Sequence, residues 1–361
     1  MEAGKILEHQ VPFPVDAESD NFTAALASAL VIAYGYTEET PYYCTKNHRY
    51  CVHCSPCGQH MLERHQTSVY HCLLTASTLA FGFDYPSDDT VDPHTLPGFS
   101  RGWRWDDSYV DALARFAGFS WKRFGGTSSR EEVLSAIKGS LDNGFPSLLR
   151  LENETEWILA VGYDADALYG LDSQPHALPG NWHSVLRDAI VITGITEPEM
   201  SYKEFLERIA AALSYEGHEA LEGVIMDTLD HVTAENAMGV AGMMNGINGV
   251  PIEARWHAAE SFCGADNLLC RICTNQEVHD RLKDTVFKRY IMDGNDETHG
   301  IGWKIWAALG VGPGTGYDIT GQSAALILQK ETQETLKRLF AKIFENDRAV
   351  CAEIRDCIKQ L

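Results

Sequence analysis

The apolar and polar positions divide the chain into a first half with mixed helix and strand signals and a second half that is helical almost throughout. Residues 20–36 form an almost entirely apolar run, in which alanines and leucines follow Asp20 and Asn21, two residue types that favour helix N-caps. Because this run is apolar on every side, it predicts a buried helix and not an amphipathic surface helix.

Further patterns in the first half predict helices followed by a sheet. Apolar residues at helical spacing predict helices at 106–117 and 129–143. Short apolar runs predict four strands, the second and third of them joined by a hairpin turn, at 147–152, 157–164, 167–173 and 188–195. Helices followed by an antiparallel sheet indicate the α+β class.

Composition indicates how the chain is divided. Residues 37–65 are polar, aromatic and rich in cysteine without a clear period, which predicts an irregular insertion. The second half predicts helices at 202–213, 218–232, 254–263, 276–291 and 320–344, with a last turn or two before residue 361. We therefore predict an α+β domain at 1–197 and an all-α domain at 198–361.

Charge and the amino terminus exclude several function classes. The formal net charge of −22 repels phosphate backbones and anionic lipid headgroups, so we expect neither nucleic acid nor a membrane surface as a partner. Residues 1–10 lack the basic and apolar regions of a secretory signal, and the longest apolar stretch, residues 24–36, is too short to span a bilayer. We expect a soluble cytoplasmic protein whose ten cysteines are thiols or metal ligands.

Three segments in the first half resemble those of a known family. They are NGFPSLL (143–149), EWILAVGYD (156–164) and LYGLDS (168–173), and they come after the apolar run. This order resembles the papain-like N-terminal domains of bacterial proteins of the C39-peptidase-like and butirosin biosynthesis protein H types. The resemblance covers residues 5–195 and implies a buried central helix packed on an antiparallel sheet. The helical second half is similar to the tail that such proteins often carry.

The resemblance also implies a Cys–His pair, which this chain does not reproduce. Glu156 stands at the position of the family's histidine, and Asp172 stands where the acid that orients this histidine is found. A carboxylate beside a thiol disfavours the thiolate by like charge, so Glu156 does not activate a cysteine.

Two placements of the nucleophile position are open. In the first, Cys72 begins the central helix, and Gln66, six residues earlier, is the oxyanion donor. In the second, the apolar run is the central helix and Asn21 stands in the place of the cysteine. The second placement explains the apolar run better, and it makes Cys72 a core residue, as free cysteines often are.

Four cysteines of the insertion, Cys44, Cys51, Cys54 and Cys57, have the spacing of metal ligands. Two consecutive C-x-x-C steps let thiolates bind one ion from a tight turn, and four thiolates complete a tetrahedral zinc site. The spacing predicts structural zinc, with an iron–sulfur site or a run of reduced thiols as alternatives. The segment 263–273 has a similar but incomplete cysteine spacing, which fits a helix with partly buried thiols.

Aromatic and imidazole side chains suggest where a ligand binds. Trp103 and Trp105 lie beside arginines in GFSRGWRWDD and could wall a pocket, although aromatic packing under a loop is the alternative. His176 follows the strand of Asp172 and is a further candidate near the site.

Two functions from different classes follow. The first is a non-catalytic or divergent papain-like protein that binds a small molecule or a peptide, as an accessory to a biosynthetic pathway. The second is a cysteine-dependent acyl or amide hydrolase, or an acyltransferase, with Cys72 as nucleophile. The glutamate at position 156 favours the first.

The zinc interpretation predicts a measurable metal content. We expect about one zinc ion per chain in protein purified under reducing conditions, because four thiolates fill the coordination sphere of one ion. Replacing Cys54 and Cys57 by serine should remove the metal, whereas the control variant Cys270→Ser should keep it. Elemental analysis that finds neither zinc nor iron would contradict a metal site.

Overall fold

The apolar run at 20–36 forms the first helix of the structure, a computed structural model of the chain. The structure describes residues 4–7, 21–44, 49–51, 60–78, 80–81, 107–151, 157–164, 167–171, 175–214, 216–248, 253–292, 300–312, 316 and 318–361.

The secondary structure combines many helices with an antiparallel sheet. The strands are β1 (Lys5–Ile6), β2 (Tyr42–Cys44), β3 (Arg49–Cys51), β4 (Phe119–Gly125), β5 (Ser147–Leu151), β6 (Trp157–Asp164), β7 (Ala167–Leu171), β8 (Pro175–Ala177) and β9 (Leu186–Ile195). The helices are α1 (Asn21–Ala33), α2 (Met61–Ala76), α3 (Asp107–Ala117), α4 (Arg130–Asp142), α5 (Tyr202–Leu213), α6 (Glu216–Asp230), α7 (Ala237–Ile247), α8 (Glu253–Cys263), α9 (Leu268–Ile272), α10 (Gln276–Phe287), α11 (Ile301–Leu309), α12 (Gly321–Ile327) and α13 (Lys330–Ile358).

The chain packs into two units. Unit 1 comprises Met1–Leu73, Trp105–Ser201 and Gly264–Ile272, and unit 2 comprises Leu74–Arg104, Tyr202–Cys263 and Cys273–Leu361. One division falls between Ser201 and Tyr202, close to the boundary predicted near residue 198. The other divisions interleave the two units along the chain, so that neither is a single continuous segment.

An antiparallel sheet organises unit 1, and its strand order differs from the order along the chain. The strands run in the order β4-β9-β5-β6-β7-β8, all neighbours are antiparallel, and β1 pairs with β6. Strand β6 is buried at every position from Trp157 to Tyr163. Because successive side chains of a strand point to opposite faces, both of its faces must be covered. Helices α1 and α4 both pack against β6.

Helix α1 confirms the prediction of a buried helix. Every side chain from Phe22 to Ile32 is buried. Gly35, two residues after the end of the helix, has a φ of +72°. The N–H groups of Gly35 and Tyr36 donate to the carbonyls of Ile32 and Val31. This is a Schellman motif, and a glycine adopts its left-handed conformation at the lowest cost.

The β6–β7 hairpin and α4 are also confirmed, whereas other elements differ from the expectations. Residues 37–65 are not irregular throughout, because they include the β2–β3 hairpin and the first turn of α2. Strand β4 went unpredicted because it is the edge strand, where Lys122 and Arg123 face solvent and interrupt the apolar pattern. The last helix is α13, which runs from Lys330 to Ile358 and not from 320 to 344.

The turn from α3 to β4 requires a glycine. Gly118 has a φ of +77°, and its N–H donates to the carbonyl of Ala114 at 2.8 Å. A Cβ atom at this position would lie 2.4 Å from the carbonyl oxygen of Thr196, whose own N–H donates to Gly118. Both the conformation and the close approach of two backbones therefore exclude a side chain.

We expect Gly118→Ala to lower the free energy of unfolding of unit 1 by at least about 2 kcal/mol, since the left-handed conformation alone costs about 1–2 kcal/mol for an L-residue. The matched control is Gly139→Ala on the exposed face of α4, where an added Cβ meets nothing within 4 Å. That change should raise the free energy of unfolding by about 0.5–1 kcal/mol. Urea denaturation measures both, and equal stability of the two variants would contradict the assignment.

Unit 2 is built of helices around an apolar core and a buried ion pair. Helices α6, α7, α11, α12 and α13 contribute a cluster of buried apolar side chains. Arg255 and Asp347 are 2% and 1% exposed, and Arg255 Nη2 lies 2.7 Å from Asp347 Oδ2. Asp347 Oδ1 accepts a hydrogen bond from the Tyr290 hydroxyl at 2.8 Å, and Arg255 Nη2 also donates to the carbonyl of Phe81. Each charge is thus satisfied by its partner and by further hydrogen bonds.

We expect Asp347→Ala to lower the free energy of unfolding of unit 2 by about 3–5 kcal/mol, because it leaves the Arg255 charge buried without its carboxylate. The control is Asp356→Ala, which removes a carboxylate that pairs with Arg281 and Lys359 on the surface. Its effect should be much smaller, because solvent screens exposed pairs. A loss of equal size in both variants, measured by chemical denaturation, would rule out the buried pair as a stability determinant.

Candidate functional site

The first turn of α1 contacts the first residue of β6. The carboxamide oxygen of Asn21 accepts a hydrogen bond from the backbone N–H of Trp157. The ring of Phe22 packs edge-on against the Trp157 indole, with centroids 5.0 Å apart. The hydroxyl of Thr23 lies 2.8 Å from that of Tyr109. Asn21 therefore lies beside the residue that follows Glu156 in the sequence.

A buried carboxylate anchors the strands around Trp157. Asp188 on β9 is 5% exposed, and its Oδ1 accepts from Arg123 Nη2 at 2.7 Å while its Oδ2 accepts from Arg150 Nη2 at 3.0 Å. These bonds raise the pKa of Arg123, whose Nη1 also donates to Asp107. The Arg150 guanidinium lies 5.7 Å from the Trp157 ring centroid. The cluster thus joins β4, β9 and β5 and supports the residue that Asn21 binds.

Sequence reasoning missed this cluster because its members are far apart in the chain. Arg150 and Asp188 are directly opposite each other in the β5–β9 register. Cross-strand charge pairs follow from register, and the sequence alone did not give the register of β9 against β5.

Several predicted site residues lie outside the described residues, namely Glu156, Asp172, Trp103, Trp105, Cys54 and Cys57. Cys44 and Cys51 lie on β2 and β3, whose backbones pair with Tyr42 opposite Cys51 and Cys44 opposite Arg49. Within the part of the chain that the structure describes, no cluster of three or more His, Cys, Asp or Glu side chains has the arrangement of a metal site. The predicted zinc site stays a prediction.

Cys72 is part of the interior of unit 1. Its side chain is 1% exposed, and burial raises the pKa of its thiol to about 12. Hydrogen bonds from the backbone at Leu269 and Leu268 oppose this shift only in part, and the nearby Cys270 adds to it. Among the described groups that act on this pKa, none is an imidazole. The thiol is therefore kept in its neutral form.

Helix α2 places Cys72 and Gln66 differently from the expectation for a nucleophile and its oxyanion donor. Cys72 does not begin a helix, because α2 starts at Met61 and Cys72 lies in its last third. The carboxyl-terminal part of a helix carries partial negative charge and does not favour a thiolate. Gln66 precedes Cys72 by six residues, which places the two side chains about 120° apart around the helix axis. The Gln66 amide donates to the carbonyl of Ala24 on α1, at 3.4 Å.

His176 lies on the edge strand β8. Its backbone pairs with Gly170 of β7, which in turn pairs with Ala160 of β6. Two strand spacings, about 10 Å, therefore separate His176 from the strand that Asn21 contacts. The structure does not bring His176 together with Asn21, Gln66 or Cys72.

Unit 1 also holds a small aromatic cavity that the sequence did not suggest. Its volume is about 60 Å³. The lining side chains come from the segment after α1, from β2, from α2 and from the loop before α9, and they are Tyr36, Pro41, Tyr42, Tyr43, His65, Ser68, Val69, Ala265, Asp266, Asn267 and Leu268. Tyr36 ends the apolar run, whereas Tyr42 and Tyr43 fall in a polar stretch without periodicity, so only their closeness in sequence could have drawn attention to the three tyrosines.

Five further cysteines are free thiols. They are Cys263, Cys270, Cys273, Cys351 and Cys357. Cys263 is buried, and burial raises its pKa to about 11. The thiols of Cys270 and Cys273 donate to the carbonyls of Gly264 and Asn275 at 3.6 Å and 3.5 Å. Among the helices of the described residues, none is both long and apolar enough to cross a membrane.

Neither a protein-family model, nor a curated protein, nor a solved structure matches this chain. The proposed function therefore depends on the geometry of the residues alone.

Proposed function

We propose that the chain is a non-catalytic, papain-like protein that binds a small molecule or a peptide and serves as an accessory to a biosynthetic pathway. In this proposal unit 1 keeps the layout of a papain-like domain, with α1 as the central helix. Asn21 stands where the family's nucleophile would be, and Cys72 has a structural role.

The hydrogen bond from Trp157 N–H to Asn21 carries the proposal. A papain-like enzyme holds its cysteine at the start of the central helix, next to the strand that bears its histidine. In this chain α1 is buried, packs on β5 and β6, and begins with Asn21 beside the first residue of β6. A carboxamide is neither a nucleophile at neutral pH nor a proton acceptor of useful basicity, so this layout supports binding over covalent catalysis.

The state of the Cys72 thiol supports the same conclusion. Burial raises its pKa from about 9 to about 12. The thiolate is the nucleophilic form, so this shift lowers its fraction at neutral pH by about a thousandfold. Enzymes that use cysteine lower this pKa by means of an imidazolium or a helix amino terminus. The alternative function, an acyl or amide hydrolase or an acyltransferase that uses Cys72, would need the opposite shift.

The rate of thiol alkylation tests this proposal. With iodoacetamide at pH 7.5 and peptide mapping by mass spectrometry, Cys72 should react at least about a hundredfold more slowly than Cys270, because its thiolate is rare and its sulfur is enclosed. Cys270 is the matched control, since it is partly exposed and lies in the same unit. In urea the two should react at similar rates. Labelling of native Cys72 faster than Cys270 would identify an activated nucleophile and overturn the proposal.

A further inference from the structure

The aromatic cavity of unit 1 is formed by rings that other contacts hold in place. Tyr36 directly follows Gly35 of the Schellman motif, and its ring lies 4.5 Å from the His65 ring, centroid to centroid. The Tyr42 ring meets the same imidazole edge-on at 5.5 Å. His65 Nε2 lies 3.1 Å from the carbonyl oxygen of Thr40, which fixes the orientation of the imidazole. The cavity is thus organised before any ligand enters.

The electrostatics of the lining favour a positive ligand. Among the described lining residues, Asp266 has the one acidic side chain. Burial raises the pKa of the Tyr36 phenol, Arg271 lowers it, and Asp266 adds a smaller upward contribution. Burial lowers the pKa of His65, so its imidazole is neutral at neutral pH. The faces of the tyrosine rings carry the negative part of the aromatic quadrupole. The lining therefore combines one carboxylate with three electron-rich rings.

Two arginines also lie near the cavity. The Arg64 guanidinium lies 5.9 Å from the Tyr42 ring centroid, so a cation already uses one face of that ring. Arg271 lies 5.2 Å from the centroid of Tyr34 and lowers the pKa of Tyr36. Neither side chain lines the cavity. Both show that the phenol rings of this unit accept cations, as tyrosine faces do.

The size of the cavity limits the ligand to a head group. Its volume is about 60 Å³. A water-sized group needs about 10–15 Å³ on this measure, so the cavity holds about four to six such groups. A quaternary ammonium group has one nitrogen and four carbons, whereas a whole drug-sized ligand needs about 300 Å³ or more. The remainder of a larger ligand would lie outside.

We propose that the cavity formed by Tyr36, Tyr42, Tyr43, His65 and Asp266 binds a quaternary ammonium head group. The cation lies against the phenol rings, whose quadrupoles attract it, and Asp266 supplies the opposite charge. The inference rests on the proposed function as a ligand-binding protein, and it names the class of ligand.

Titration with choline and with its uncharged isostere 3,3-dimethylbutan-1-ol tests this inference. The two have the same shape and differ in charge, so calorimetry should give at least tenfold tighter binding for choline if cation–π attraction contributes about 1.4 kcal/mol or more. Equal affinities would show a merely apolar cavity and overturn the inference. An absence of choline binding up to about 50 mM, or tighter binding of guanidinium than of tetramethylammonium, would overturn it too.

Variants with matched controls locate the site. Tyr36→Phe should keep the affinity within about twofold, because the aromatic face remains, whereas Tyr36→Leu should weaken choline binding at least tenfold. Asp266→Asn should weaken it severalfold and make the affinity less dependent on salt. The controls are Tyr169→Leu on β7 and Asp164→Asn at the end of β6, both in unit 1 and outside the cavity, and they should bind as the parent does. Equal losses in the Tyr36 and Tyr169 variants would overturn the inference.

The experiments test the non-catalytic assignment and the cation site independently. If native Cys72 alkylates slowly but choline does not bind, the cation site is wrong and the non-catalytic assignment stands. If choline binds with the expected variant pattern but Cys72 alkylates rapidly, the cation site stands and the non-catalytic assignment is wrong. Circular dichroism of each variant confirms that a lost signal comes from the site and not from unfolding.

Discussion

The burial of α1 on every side is the constraint on which unit 1 depends. A helix without a polar face has to be enclosed, and a strand pair with apolar residues on both faces provides one wall. Once the helix is enclosed, its two ends are fixed in space. The first residue, Asn21, meets the backbone of Trp157, and the Schellman motif at the other end directs Tyr36 into the aromatic cavity. Both candidate sites thus follow from the placement of one apolar helix.

The sequence predicted the elements whose signals are local. The apolar run of α1, the strand pair β6–β7 and the capped helix α4 each have a periodicity or a turn signal within about ten residues. The elements and sites that the sequence did not predict depend on contacts between distant residues. Helix α2 buries His65, Gln66 and His71 beside apolar residues, so its polar and apolar positions do not separate into two clear faces. The Asp188 cluster depends on strand register, and the aromatic cavity depends on the loop before α9, which is more than 200 residues beyond Tyr42.

Uncertainty over where α2 begins explains the ambiguity over the nucleophile. A glutamine six residues before a cysteine is an active-site pattern when the cysteine begins a helix. When both lie in one helix, the geometry of about 100° per residue separates their side chains, and the polarity of the helix end is reversed. A glutamine six residues before a cysteine occurs both when the cysteine begins a helix and when it lies within one. Only the start of α2 at Met61 distinguishes the two cases. The helix start was hard to predict because the cysteine-rich segment before it gives no capping signal.

Buried ionisable groups in this chain are either kept neutral or held in a permanent ion pair. A bound ligand cation would be a third case. Cys72, His65 and His257 are kept neutral, because burial shifts the pKa of each toward its uncharged form. Arg255 and Asp347 stay charged, because each is satisfied by a permanent partner. A permanent ion pair cannot exchange with solvent, so it cannot serve as a site that fills and empties. Aromatic faces stabilise a cation by about 0.5–2 kcal/mol, which is enough to favour binding and small enough to keep it reversible.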